Sequence, residues 1–475
     1  MRGGTARGPV RPARPLPAAA RKDRAAKLPW PVLIYILGIV LPVGFDAGPL
    51  ALSIVRLFLL IVTVPLMIQL LMGRFGKVYL IDILFILHVL WMLVSFSVTS
   101  PDRMVEQVGS VGMEFLGGYA IGRAFVRTPE AFVKLCQLLV AIVLLMLPLA
   151  LYEAQTGRSP ILEIIEGLPT VYSSSSINSM EGRLGFQRVQ SVWDHPIHHG
   201  VFGSMVFALA FVGLKGTSSP FWRLLSSSLI ALFGFLALSS AAITALVVQL
   251  GLIVWATVFA RFKGRWWLLV GLFALAYVVV DLLSNRTPLR VFLTYATLSP
   301  GTGYTRIYLF EWGTYNIRQN PMFGVGMNDW VRPHWLTGSM DNFWVATGLR
   351  YGLPGLLLLA AGYFLAIFRI MRRDFSKSPL LANLRLAWVF TFVGLTFTVC
   401  TVHLWANIYS FTFFLFGAGI WLVGYKAPEA EAAPQEAGRR LRPLERAVPQ
   451  EPEAPAHPLP ASPYTRFPVR QRPPG

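Results

Sequence analysis

Long apolar runs recur along nearly the whole chain, separated by short polar breaks. Read by length and flanking residues, they fall at 30–45, 50–72, 78–98, 108–125, 131–152, 197–214, 221–238, 241–260, 266–283, 342–370, 384–403 and 407–425. A helix of about 20 apolar residues matches the hydrocarbon thickness of a bilayer, and a helix satisfies its own backbone where no water is present. The pattern predicts an all-α polytopic membrane protein of about twelve transmembrane helices. The run 108–125 fits least well, because it carries Glu114 and several glycines, and Ser239-Ser240 marks the narrow split between 221–238 and 241–260. Two segments, 153–196 and 284–341, are long loops.

The basic residues between the runs orient the chain. With the N-terminus in the cytoplasm, one set of loops carries Arg74 and Lys77; Arg123, Arg127 and Lys134; Lys215 and Arg223; Arg261, Lys263 and Arg265; Arg369, Arg372, Arg373, Lys377 and Arg385. Every lysine then lies at or next to the cytoplasmic face, Lys22, Lys27 and Lys426 included, as the positive-inside bias requires. Both long loops are left outside.

Composition agrees. The chain of 475 residues is 55% hydrophobic and only 14% charged, with mean hydropathy +0.56, whereas soluble domains carry about 25% charged residues. The net charge of +19 sits in the tails and the short loops, so it reads as membrane topology and not as a nucleic-acid surface. Residues 1–28, rich in Arg, Pro and Ala, predict a disordered cytoplasmic tail, 29–425 the membrane domain, and 426–475, rich in Pro, Ala, Glu and Arg, a second disordered tail. Cys136 and Cys400 both fall in apolar runs and offer neither a disulfide framework nor a metal set.

Candidate chemistry concentrates in 285–355. It contains Arg286, Arg290, Arg306, Arg318 and Arg332, then His334 and Asp341-Asn342, and no lysine. Arginine on an outer face persists against the topological bias. Its planar fork of donors matches phosphate oxygens and stays charged when partly dehydrated. Pairing with Glu311 or Asp329, or reaching to headgroups, is the plainer role for any one of them. The stretch 305–318 has helical apolar spacing with Asn320-Pro321 as its stop, and reads as an interfacial amphipathic helix. Phe323-Gly-Val-Gly-Met327 supplies a glycine-permissive turn.

These residues resemble the O-antigen ligase / polysaccharide polymerase superfamily. The likeness lies in Arg306, in Asn320-Pro321-x-x-Gly324-x-Gly326, and in Asp341-Asn342 followed after nine residues by Gly352-Leu-Pro-Gly355. It extends to Arg188-Val-Gln-Ser-Val-Trp-Asp-His195-Pro196 in the first outer loop and covers about 183–355. The spacing of the family's His-Asn, nine residues, Gly-x-x-Gly hallmark is kept, but Asp341 stands where the family has histidine. The resemblance implies a metal-independent, cofactor-free GT-C-type glycosyl transfer from an undecaprenyl pyrophosphate-linked glycan. It places the protein in a bacterial inner membrane with its site facing the periplasm, and implies a chain-length regulator and a flippase as partners beside the lipid bilayer itself. Polymerisation of exopolysaccharide or O-antigen repeat units is the first reading. Transfer of a finished glycan to lipid A-core or another acceptor is the second.

Breaking a sugar–pyrophosphate bond requires positive charge on the leaving oxygens. Arg188 and Arg306 are the first candidates, with Arg183, Arg286, Arg290 and Arg318 behind them. A base near the acceptor hydroxyl is also needed, and by position that is Asp341, which could equally cap the following helix, as could Asn342. His334 competes as base. Asn342, His195, Gly352 and Gly355 are supporting candidates. His195, His198 and His199 fit no standard zinc spacing, and Asp194 could cap the helix that has Pro196 in its first turn. Among ionisable residues in or beside the runs (Asp46, Arg56, Asp82, His88, Asp102, Glu114, His403), Arg56 could meet a pyrophosphate or pair with Asp82 or Glu114. A transporter or flippase would instead need inverted repeats and charges at the bilayer midplane; charge concentrates in the outer loops, and no duplicated pattern is visible.

Overall fold

Each apolar run of the sequence forms a helix, but the runs do not all end where hydropathy places their ends. A computed structural model describes residues 27–47, 50–177, 182–183, 185–295 and 300–426. The two expected tails lie outside the described residues, apart from 27–28 and 426. In chain order the elements are α1 (Trp30–Val40), strands β1 (Val43–Ala47) and β2 (Leu50–Ser53), α2 (Ile54–Leu71), α3 (Leu80–Thr99), α4 (Met104–Phe125), α5 (Pro129–Thr156), α6 (Pro160–Glu166) and strand β3 (Tyr172–Ser173). Then come α7 (Pro196–Ala208), continued by a π turn at Leu209–Gly213, α8 (Pro220–Phe235), α9 (Ser240–Val258), α10 (Arg265–Leu283), α11 (Pro288–Tyr295), α12 (Pro300–Gln319), α13 (Phe343–Met371), α14 (Pro379–Val399) and α15 (Ala406–Gly417). The protein is an all-α, multi-spanning membrane protein. Among the described residues, nine helices are long and apolar enough to cross a bilayer, and α1 and α8 are shorter apolar helices.

Two of the expected runs end as helix earlier than hydropathy places them. The first run stops at Val40, because Pro42 offers no N–H to continue the helix. The chain turns there into an antiparallel hairpin pairing Phe45 with Leu52, and β3 from the first long loop adds to its free edge, Val43 against Ser173. The run 384–403 ends as helix at Val399, so His403 lies in the turn before α15 and not inside a span. The helix expected over 305–318 is α12, which closes at Gln319 just before Asn320-Pro321.

The fourth run shows why hydropathy and burial differ. α4 is only weakly apolar, yet it lies inside the bundle, packed along α15, whose residues Asn407–Gly417 are all buried. A Cβ on Gly118 or Gly122 would collide with the carbonyl oxygens of Ser410 or Phe414, and one on Gly417 with that of Tyr119. Small residues at such crossings let helix backbones approach where no hydrophobic effect drives them together. Phe85, Phe115 and Tyr119 fill the space beside this contact, edge to face at 5.0 Å. α4 needs small residues for its neighbour more than apolar bulk for lipid.

Two ion pairs join helices of the bundle. Arg123 meets Asp82 at 3.4 Å and donates to the carbonyls of Phe75 (3.0 Å) and Lys77 (2.8 Å). Asp82 also accepts from Tyr119 and caps α3 through Tyr79 N–H. Arg56 pairs with Glu114 at 3.0 Å, the second of the two partners its position allowed.

At one end of the bundle, hydrogen bonds tie the loops together. Ser174 N–H donates to Pro42, Arg183 to Leu238 O, Val189 N–H to Leu236, and Asn328 to Thr99 O. Phe343 N–H, at the end of the second long loop, bonds Val402 O, so both long loops and the α3–α4, α8–α9 and α14–α15 junctions share this end. Gly122→Val is expected to cost about 2–3 kcal/mol or more, through overpacking of the α4–α15 contact. Thermal unfolding in detergent checks this, with Gly251→Val as the neutral comparison, since a Cβ there meets nothing within 4 Å.

Candidate functional site

The site is organised by a break in α13. Gly352 has φ +71° inside the helix, a conformation that favours glycine, and a side chain there would run into Met322 O. Pro354, four residues after Arg350, has no N–H to return to the Arg350 carbonyl. The freed carbonyls find partners in the Phe323–Met327 turn, where Val325 N–H donates to Leu349 O (2.7 Å) and Gly326 N–H to Arg350 O (3.2 Å), while Leu353 N–H turns outward to Pro321 O (2.7 Å). From α3, residues at helical spacing complete the set: His88 donates to Gly355 O (2.8 Å), Trp91 to Tyr351 O (2.8 Å), and Ser95 to Phe323 O (2.6 Å) and Arg350 O (3.3 Å). The Gly352 and Gly355 of the sequence motif thus build the kink and its seat.

A cavity of about 400 Å³ opens beside this turn. Asp341, Arg350, His403 and Trp405 are among its lining residues, and the last three also line a smaller adjoining cavity with Glu114 and His88. Of the two possible caps for α13, Asn342 takes the role: its Oδ1 accepts from Val345 N–H (3.0 Å), and its amide donates to Cys400 O (2.7 Å). The carboxylate of Asp341 is thereby left to face the cavity. Burial raises its pKa, with the Arg306 charge and a Ser339 hydrogen bond opposing.

Arg306 on α12 is 9% exposed, and its Nη1 has no hydrogen-bond partner among the described residues. Burial pulls its pKa down to about 10; Asp341 opposes that pull and Arg183 adds to it, so it remains a cation at neutral pH. Arg188 is likewise lowered to about 10 by burial and by Arg183, and donates to Ala237 O at 3.3 Å. Arg183, Arg188, Arg306 and Asp341, drawn from both long loops, form one connected set of charges. His195 adjoins it, held down to about 4 by burial and by the charges of Arg188 and Arg183. It, and not Asp194, caps α7, accepting from Ile197 N–H at 3.0 Å. Asp194 instead lies near Ser175. Its neighbour His199 contacts Phe233 O at 2.8 Å, and His198 packs on Trp405; among the described residues no three His, Cys, Asp or Glu side chains converge as a metal set.

The remaining candidates are not brought to the cavity. Arg290 pairs with Glu311, joining α11 to α12. Arg332 pairs with Asp329 and lies over Trp330. Arg318 is exposed near the end of α12, Arg286 rims a separate surface crevice at the foot of α10, and exposed His334 lines a shallow cleft with Asp329. The sequence reading missed Arg350 and gave His403 no place at the site. An arginine inside an apolar run, eight residues after Asn342, was itself a signal; His403 was hidden because nothing local links 400–405 to Asp341.

No protein-family model matches the chain, and no curated protein does. Fold and site together define a polytopic all-α membrane protein with a polar cavity at one end of its helical bundle.

Because the folded-state pKa of Asp341 lies above its ordinary 3.8, the stability it contributes is complete below that value and lost as pH rises through the folded one. Asp341→Asn is therefore expected to melt at or above the temperature of the native protein near neutral pH, the gap closing toward acid pH. Thermal unfolding across pH checks this; a variant that melts lower at neutral pH would show the carboxylate to be a structural partner.

Proposed function

We propose that this protein is a membrane glycosyltransferase that polymerises undecaprenyl pyrophosphate-linked oligosaccharide units, as its motif resemblance implies, without a metal cofactor. The observation that carries the reading is Arg306, a buried cation with an open donor, set beside a carboxylate at a cavity. A buried charge of this kind is costly unless a ligand completes it. In the reaction, the acceptor hydroxyl attacks the anomeric carbon of the donor glycan while the bond from that carbon to the diphosphate oxygen breaks. The electron pair leaves with the diphosphate, whose added charge Arg306 stabilises with Arg183 and Arg188 behind it. Asp341 takes the hydroxyl proton; burial, by raising its pKa, makes it a stronger base than a surface carboxylate. The chain then lies in a bacterial inner membrane with this end facing the periplasm, a placement supported by the lysines, which fall in the loops of the other end. A ligase would use the same chemistry on a different acceptor.

Arg306→Ala and Asp341→Ala, each introduced into a strain lacking the gene, are expected to reduce surface polymer by about 100-fold or more, the scale of losing a charge-stabilising donor. Gel analysis of the polysaccharide then separates the readings: single repeat units left behind mark a polymerase, and long unattached chains mark a ligase. Normal polymer from both variants would refute the assignment. Exposed Arg103 (62% side-chain exposure, near Glu106) provides the neutral substitution.

A further inference from the structure

Two arginines on α2 and α4 and a third at the cavity are treated differently by the fold. Arg56 and Arg123 each meet a carboxylate, Glu114 and Asp82. Arg350 lies within an apolar, bilayer-length helix, half-buried and lining both cavities, yet no carboxylate among the described residues comes within ion-pair distance of it. Its charge acts on Tyr351, Tyr409 and His403, and the carboxylates that share its two cavities, Asp341 and Glu114, make no ion pair with it. A cation held within a span without a counter-charge is expensive and marks a ligand path.

His403 stands beside it. The imidazole is stacked between Phe343 (6.0 Å, 26°) and Trp405 (6.2 Å, 20°), and its Nδ1 has no hydrogen-bond partner among the described residues. Burial, and then Arg350, hold it down to about 3, so it is a neutral donor and adds no second charge. The turn that carries it is fixed against the site, since Asn342 bonds Cys400 O and Phe343 N–H bonds Val402 O (3.0 Å).

We propose that Arg350 and His403 form a second anion seat, which holds a phosphate of a lipid-linked substrate other than the one that Arg306 holds. The charge of Arg306 acts on Asp341, whereas that of Arg350 acts on Tyr351, Tyr409 and His403. Arg350 and His403 line the cavity directly, whereas Arg306 acts on Asp341 in its wall and is not itself among the lining residues. The seat rests on the glycosyl-transfer reading and deepens it: two lipid-phosphate substrates meet across one carboxylate, as joining two carrier-linked glycans requires.

The test uses the full-length protein in phosphatidylcholine nanodiscs, titrated with undecaprenyl pyrophosphate and read by native mass spectrometry. The native protein is expected to retain two molecules. Arg350→Ala is expected to retain one, and His403→Ala to weaken the second binding event at least tenfold. Arg350→Lys, which keeps a point charge but loses the fork, falls between. Retention of a single molecule by the native protein, or of two by Arg350→Ala, overturns the second seat. If Arg350→Ala melts too low to assay, Arg350→Lys and His403→Ala decide, and unchanged binding by both overturns it. Competition identifies the anion: displacement by inorganic pyrophosphate and not by glucuronate supports a phosphate, and the reverse means that the seat reads a sugar acid, against the proposal. Loss of one molecule in Arg306→Ala but not in Arg350→Ala removes this seat alone; loss in neither removes the diphosphate reading of the whole cavity.

Discussion

Inside a bilayer a broken helix leaves carbonyl oxygens that water cannot reach, and each must be bonded by protein. In α13 the break at Gly352 and Pro354 frees the carbonyls around Leu349–Tyr351. Their partners come from two places far away in the chain, the backbone N–H groups of Val325 and Gly326 and the side chains of Trp91 and Ser95 on α3. This exchange folds the end of the second long loop back onto the bundle and forms one wall of the cavity. Gly324 and Gly326, at φ +67° and +63°, give the turn the shape it needs to present its amides.

The same scarcity of water sorts the charges. Arg123 with Asp82 and Arg56 with Glu114 are compensated pairs, and their hydrogen bonds run to helix ends and loop carbonyls. They hold helices in register. Arg306, Arg350 and Asp341 are buried or half-buried without such completion, and all lie at the end of the bundle where both long loops meet. The proposed function takes this end, where Asp341 and Arg350 line the cavity, as the place of the ligand. Diphosphate chemistry suits the arrangement, since guanidinium groups supply charge to leaving oxygens and a desolvated carboxylate supplies a base.

The arginines of the second long loop divide along the same line. Arg290 and Arg332 are each bound by an acid a short distance away in sequence, Glu311 and Asp329, and they shape the loop. Arg306 alone among them is turned inward, because α12 packs against α13 through Leu309, Ile317, Val345 and Leu349 and carries that face of the helix into the interior.

Much of this was written in the sequence. Uninterrupted apolar runs mark helices because lipid tolerates no other open backbone, and loops rich in arginine but without lysine mark the end that carries the candidate site. Asp341, Arg306 and Arg188 could be singled out because residue type and spacing are local properties. The tertiary structure alone decided which residue caps and which faces the cavity: Asn342 took the cap of α13 and His195 that of α7, choices set by side-chain direction. It also decided that α4, the least apolar of the runs, packs inside the bundle, because its glycine contacts depend on residues of α15 that stand 292 positions on, Ser410 for Gly118 and Phe414 for Gly122. Arg350 and His403 became part of the site only when α13 broke and the 400–405 turn docked against it, since a cavity is made by residues that meet in space and the chain order holds no record of the meeting.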